Sequence, residues 1–393
     1  MAVNKIVNKI MNIVVLLYLI SVFVLSSQPK YSISSFILTI LLLILLFIRY
    51  MVCKKLYLPK LSVFLIIFPL YGLITVIWVK DYDIAIRNVF MLSSAVVGAI
   101  AFWISLYNGV KARTIHIAAL ISAIIIIISV LIEVQTNPYS MRYSGILLNP
   151  NIFALNISII AIMLFSSRKK TLLFHVIGIV FVIFATIFSG SRKIAFFWLL
   201  FIIYIYKYTK KFMSNNFFNR FIFYIIIGGL ITVIFFYSNT LLDIINTLEF
   251  VNRFQQFFAG NDDSSGNVRI AMIKEGIYLW AQAPFFGNGI GQFSALSSFG
   301  TYSHNNYIEI LCNFGIIGFC LYYGIYILII NQLIRRRKLG LCLDRNLVWF
   351  VIILFLLWDT AMVSVIEKKT WILFIYALYI CSDQKQDTLA LSK

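Results

Sequence analysis

The chain has 393 residues, 62% hydrophobic and 12% charged, against roughly 45–50% and about 25% in soluble domains. That excess excludes an ordinary soluble enzyme. The formal charge of +19 is spread over segments between apolar runs, a topology pattern that leaves no role for nucleic acid.

Taken in order, apolar runs predict about twelve transmembrane helices, near 6–26, 33–52, 61–79, 84–107, 114–132, 152–166, 171–188, 193–208, 221–239, 304–334, 346–364 and 370–381. They lack the period-two alternation of barrel strands, so the class is an all-α integral membrane protein with a single polytopic domain over 1–393. The first run follows Lys5 and Lys9, shows no clear small-residue cleavage site, and reads as a retained anchor. With both termini cytoplasmic, the inner segments carry most of the basic residues, including Arg49, Lys54, Lys55, Lys111, Arg113, Arg168, Lys169, Lys170 and the Arg335–Lys338 run. The outer segments balance basic against acidic residues, and this asymmetry sets the orientation. The five cysteines show no CxxC spacing, so neither a disulfide framework nor a zinc site is expected.

Two outer segments stand out. Residues 133–151 contain "YSGILLNPN" and Arg142. Residues 240–303 form a large extracytoplasmic loop between spans nine and ten, too long to be a simple connection. Inside it, "GNDDSSGNVRIAMIKEGIYLWAQAP" predicts a helix that Ser265 or Asn267 can cap, with Arg269 near its start. A glycine-rich stretch, "FFGNGIGQFSALSSFG", follows. Its GNGIG follows no strand, so it carries no dinucleotide reading.

Three candidate groups face the outer compartment. In "SGSRKIAFFW" (189–198), Ser189, Gly190 and Ser191 make a turn and a cap, Arg192 stands in the first helical turn, and Lys193 follows. Arg269 repeats the arrangement. In "TYSHNNYIEILCNFGIIG" (301–318), Ser303 can cap span ten, which puts His304 in its first turn, followed by Asn305. A helix start disfavours imidazolium, so His304 should be neutral and able to accept a proton. Two arginines can hold a diphosphate and stabilise charge as it departs, while the histidine deprotonates an attacking hydroxyl. Plainer alternatives stay open on these residues alone: Arg192 and Lys193 reaching lipid headgroups, Arg269 paired with Asp262 or Asp263, His304 a boundary hydrogen bonder. His116 and His175 fit the plainer role. Arg87 in span four and Asp359 in span eleven are intramembrane charges that could pair with each other; Arg87 could instead pair with Asp83 or add a further phosphate contact. The outer carboxylates are too scattered for an all-oxygen metal site.

"RIAMIKEGIYLWAQAPFFGNGIGQF" with "YSHNNYIEILCNFGIIG", preceded by "SGSRKIAF" and "NPNIFALN", resembles the signature region of the O-antigen ligase and Wzy-type polysaccharide polymerase superfamily. The resemblance implies a GT-C-like fold in the bacterial cytoplasmic (inner) membrane and an extracytoplasmic site needing no metal or cofactor. It maps the essential groups onto Arg192, Arg269 and His304. Implied partners are an undecaprenyl-diphosphate-linked glycan donor, a glycan acceptor, membrane lipid and, as a candidate, a chain-length regulator. A repeat-unit polymerase is the leading expectation and a ligase to lipid A-core the runner-up. A flippase is a rival of another class, against which the absence of two-half symmetry stands.

Overall fold

The computed structural model describes residues 2–31, 33–59, 61–166, 172–213, 264–338 and 345–380. Every regular element among them is helical. The expected ninth span, residues 240–263 of the large loop, and Asp262 and Asp263 lie outside the described residues.

Among the described residues, eight helices precede the large loop: α1 (Ala2–Ile20), α2 (Ile33–Cys53), α3 (Ser62–Ile74), α4 (Tyr82–Tyr107), α5 (Ala112–Thr136), α6 (Pro150–Phe165), α7 (Leu172–Ser189) and α8 (Ile194–Met213). Within it lie α9 (Ser264–Gln282) and the short α10 (Gln292–Leu296), and after it come α11 (Asn306–Lys338), α12 (Arg345–Trp358) and α13 (Lys368–Ile380). Among the described residues, five helical segments are long and apolar enough to cross a membrane: Asn4–Leu25, Ile33–Cys53, Tyr82–Tyr107, Ala112–Thr136 and Asn306–Arg335. Shorter apolar helices lie at Ser62–Trp78, Pro150–Phe165, Leu173–Ser189, Ile194–Tyr204 and Asn346–Trp358.

Burial sorts these helices. α6 is hydrophobic all round and buried from Phe153 to Phe165, as befits a helix walled in by others. α13 is buried over Lys369–Ile380 and packs against α4, α6 and α12. α2, by contrast, exposes Ile37, Ile40, Ile44 and Phe47, a surface suited to lipid. Local signals set the ends. The Asp81 carboxylate accepts the Ile84 amide hydrogen at 2.9 Å and starts α4. Asn149 accepts from Asn151 at 2.8 Å, with Pro150 at the first helical position of α6.

α11 is not one helix. The apolar run predicts an unbroken span over 304–334, but Gly315 leaves helical geometry at φ 64°, ψ −167°. The groups freed by the break find partners in the glycine-rich loop. Ile316 and Ile317 donate to the carbonyls of Pro284 and Phe285 at 2.9 and 3.2 Å; Asn288 and Gly289 donate to those of Cys312 and Asn313 at 2.9 and 2.8 Å. Backbone irregularity inside a membrane protein is tolerated where such partners exist. The loop is fastened to α3 and α4 as well. Tyr71 donates to the Phe286 and Phe314 carbonyls, Trp78 donates to Gly287, and buried Gln292 accepts from Lys80 and Asp81.

One expectation about charges is corrected here. Arg87 does not pair with Asp359. It is exposed on α4 and its Nε donates to the Asp83 carbonyl at 3.2 Å, while the Asp359 carboxylate is taken by Ser364, Tyr323 and Tyr326 at 2.5, 3.0 and 3.3 Å. Hydroxyl donors satisfy that buried acid without a cation. His116 and His175 are buried and stack on Phe174 and Phe165.

Candidate functional site: a cationic cluster beside a strained histidine

Three segments meet at one end of the bundle. The first is the α7–α8 turn. Gly190 sits at φ 54°, a left-handed conformation suited to glycine. Arg192 lies in this turn, before α8 begins at Ile194, and not within the first helical turn as expected. Nor is Ser191 a cap: its Oγ donates to the Asn151 Oδ1 at 2.8 Å. Arg142 clasps the turn from the 133–151 loop, donating from Nε to the Ser189 carbonyl at 2.8 Å and from Nη2 to the Asn151 Oδ1 at 3.2 Å. The Tyr143 amide donates a hydrogen bond to the Phe188 carbonyl at 2.8 Å, and Trp358 donates to the Lys193 carbonyl at 3.1 Å. Lys193 lines, with Ala154, Leu155, Ser158, Ile194, Trp358 and Met362, a small pocket with room for little more than a water molecule.

The second segment is α9, which carries Arg269. Met272, Gly276 and Leu279 face inward, so Arg269, one turn before Ile273, is held over the same end. Gly276 permits contact with Phe293 and Ile308; a methyl group there would strike Ile308. Met272 and Leu279 close a small core with Phe293 and Cys312.

The third is the elbow before α11. Ser303 does not cap this helix, and His304 is not in its first turn. α11 begins at Asn306, and Asn305 is the cap, its Oδ1 accepting the Ile308 amide at 3.1 Å. The other end of the Asn305 side chain donates to the Thr360 carbonyl at 3.3 Å, so both ends are committed to the protein. His304 therefore stands one residue outside the cap, at φ 57°. A left-handed non-glycine residue costs of order 1–3 kcal/mol and persists where its surroundings fix it. Here they do: Ser303 is fully buried, its amide donates to Glu309 at 2.8 Å, and Asn306 donates to the Asp359 carbonyl at 2.8 Å. The His304 ring lies 4.4 Å from that of Tyr302, centroid to centroid.

Electrostatics shows that the segments converge. Burial, then the positive charges of Arg269 and Lys193, push the His304 imidazole down to about 4, so it is neutral at pH 7. The sequence argument assigned this neutrality to a helix terminus; the structure assigns it to desolvation and two cations. Burial likewise lowers the Lys193 ammonium to about 7, helped by Arg269, Arg142 and Lys369. Burial raises the Tyr302 phenol, with Glu367 adding to the shift and Arg269 opposing it. Arg269, Lys193 and His304 thus share one neighbourhood, with Arg192 in the same turn as Lys193. Arg87 stands apart on α4. Tyr302, Glu367 and Lys369 join this neighbourhood without a motif that marks them, and Glu309 stands just behind His304 in the sequence. Of these, Glu309 and Lys369 carried a usable signal: ionisable residues at the edges of apolar runs. Lys369 is buried and paired with Glu367 at 3.1 Å.

An apolar helical bundle with this cluster at one end defines an integral membrane protein with a cationic terminal site. Residues 153–323 match the family model described as O-antigen ligase, a similarity that supports a relationship to the O-antigen ligase and Wzy superfamily. The matched stretch runs from α6 into α11 and contains Arg192, Arg269 and His304. Members of this family are ligases or related polymerases, enzymes of glycosyltransferase type. No curated protein is significantly similar to the chain.

Proposed function

We propose that the protein is a polymerase that joins undecaprenyl-diphosphate-linked repeat units of a surface polysaccharide, at the extracytoplasmic face of the bacterial inner membrane. The observation that carries this reading is the convergence of Arg269 and Lys193 on a neutral, half-buried His304. A diphosphate-linked sugar presents what such a site can use: two anionic groups for the cations, and an anomeric carbon whose leaving group improves once its charge is neutralised. Arg192 and Arg269 stabilise the departing diphosphate, with Lys193 beside them. His304 takes the proton from the acceptor's non-reducing-end hydroxyl as its oxygen attacks the anomeric carbon. The C–O bond to the diphosphate breaks as the new glycosidic bond forms, and attack from the opposite side inverts the centre. No metal is required by this scheme.

A second reading, a ligase that passes the finished glycan to lipid A-core, uses the same groups and is favoured by the description of the matched family. Purified protein given lipid-linked repeat units alone decides between them. Chain growth supports the polymerase; transfer that starts only after lipid A-core is added supports the ligase. Lipid translocation without transfer would overturn both in favour of a flippase.

A further inference from the structure

Behind the histidine elbow lies a buried acid that the scheme above does not use. Glu309 is 5% exposed, on the first turn of α11. Its Oε2 accepts the Ser303 amide hydrogen at 2.8 Å and its Oε1 accepts from the Asn313 Nδ2 at 3.0 Å. Asn313, 3% exposed, uses its Oδ1 to accept the Phe293 amide hydrogen at 2.7 Å. A hydrogen-bonded line therefore runs from the residue before His304, through Glu309 and Asn313, to the start of α10.

From this line we propose that Glu309 is a positioning residue: it holds the left-handed elbow that aims His304, and it couples that elbow to the glycine-rich loop through Asn313. Three facts support the assignment. The elbow is strained and needs an external restraint, since a non-glycine residue does not hold φ 57° unaided. The restraint acts on the main chain next to the histidine, not on its ring, so Glu309 touches no reacting group. The restraint is also directional. Every partner of Glu309 is a donor, and Asn313 is already fixed in orientation by the Phe293 amide, so a carboxylate is the group that satisfies both neighbours.

That directionality gives a test. E309Q has nearly the same shape, but its new amide group faces a donor whichever way it turns. Flipping Asn313 to compensate would set its own amide against that of Phe293. E309Q/N313D relieves the conflict: the new carboxylate accepts from Phe293 and from the new amide, which leaves one oxygen for Ser303. The acid has moved by one turn, and every hydrogen bond is restored.

The expected result for E309Q is a turnover lowered by roughly 100-fold, the scale set by an ångström-size misplacement, with the donor KM nearly unchanged. E309Q/N313D should recover most of that loss. The turnover measurement rests on the glycosyl-transfer reading, so a second one does not. Diethyl pyrocarbonate should label His304, which is half-buried, in preference to His116 and His175, which are 7% and 6% exposed; H304A gives the background. Labelling of His304 should quicken in E309Q and return to the wild-type rate in the double variant. Wild-type labelling and turnover in E309Q would overturn the proposal. So would a double variant that stays inactive although its labelling is normal, because the charge at 309 would then matter in itself. Should the wild-type protein transfer no glycan, the functional reading fails and the labelling alone decides for or against Glu309.

Discussion

The amide of Asn306 donates to the carbonyl of Asp359 at 2.8 Å, and the Asn306 Oδ1 accepts from the amides of Ser364 and Val365 at 3.0 and 3.1 Å. The beginning of α11 is thus pinned to the segment linking α12 and α13, two residues after His304. The position of the histidine is a property of three helices and does not depend on its own loop alone.

A neutral base gives a clear pH signature. Because burial and two neighbouring cations depress the His304 imidazole to about 4, kcat/KM should hold steady through pH 6.5 and fall only as the pH approaches 4. Replacing Arg269 with glutamine removes a positive neighbour, which makes protonation easier, so the acid limb should move upward. Burial is the largest cause and remains, so the shift stays short of the ordinary histidine value. An acid limb already near 6.5 in the wild-type protein would contradict the assignment.

Removing the base altogether should be severe. H304A is expected to lower transfer by roughly 100- to 10,000-fold, the range for a lost general base, while donor binding by calorimetry in detergent stays close to wild type. Transfer at the normal rate would show that another group takes the proton.

Donor affinity should rest on the cations instead. Arg269→Gln loses hydrogen bonds to a charged group, each typically about 1.5–3 kcal/mol, so the donor Kd should weaken roughly 10- to 100-fold. Arg269→Lys keeps the charge but not the planar fork and should fall between. Raising the salt concentration should weaken wild-type binding and affect the glutamine variant less. Equal salt dependence in both would place the diphosphate elsewhere.

The break in α11 makes a prediction about stability. Gly315→Ala puts a methyl group at a left-handed position and against the Phe285 carbonyl, so it should destabilise the protein by about 1–3 kcal/mol or more. Gly324→Ala, in the same helix with nothing within 4 Å of the added carbon, should be neutral or slightly stabilising. Thermal unfolding of the two variants in one detergent compares them directly; an equal response would deny the special geometry at Gly315.

Which of these features the sequence discloses follows from the range of the forces involved. Runs of apolar residues write helices plainly: the segment read as 33–52 folds as Ile33–Cys53, and 84–107 as Tyr82–Tyr107. The candidate residues are equally visible, since a charged or titratable residue beside an apolar run advertises itself. The break at Gly315 was hidden because its hydrogen-bond partners lie near residue 285, and periodicity within "NFGIIG" cannot report a distant loop. The cap was misread for a related reason. Ser303 and Asn305 are both good capping residues, and the cap falls to Asn305 because the Ser303 hydroxyl donates to the Asn305 carbonyl at 2.8 Å. Arg142 was legible only as a charge; its clasp on the α7–α8 turn required knowing that residues forty-seven apart would meet.

The seam between Gly315 and the segment from Pro284 to Gly289 has a mechanical result. Two amides of α11 and two of its carbonyls complete their bonding in that segment, and separating the pieces would strand all four in an oily interior with no water to receive them. The seam therefore stays shut during any working motion. Any opening of the bundle must run along another boundary, with the first part of α11 and its glycine clasp travelling as one piece.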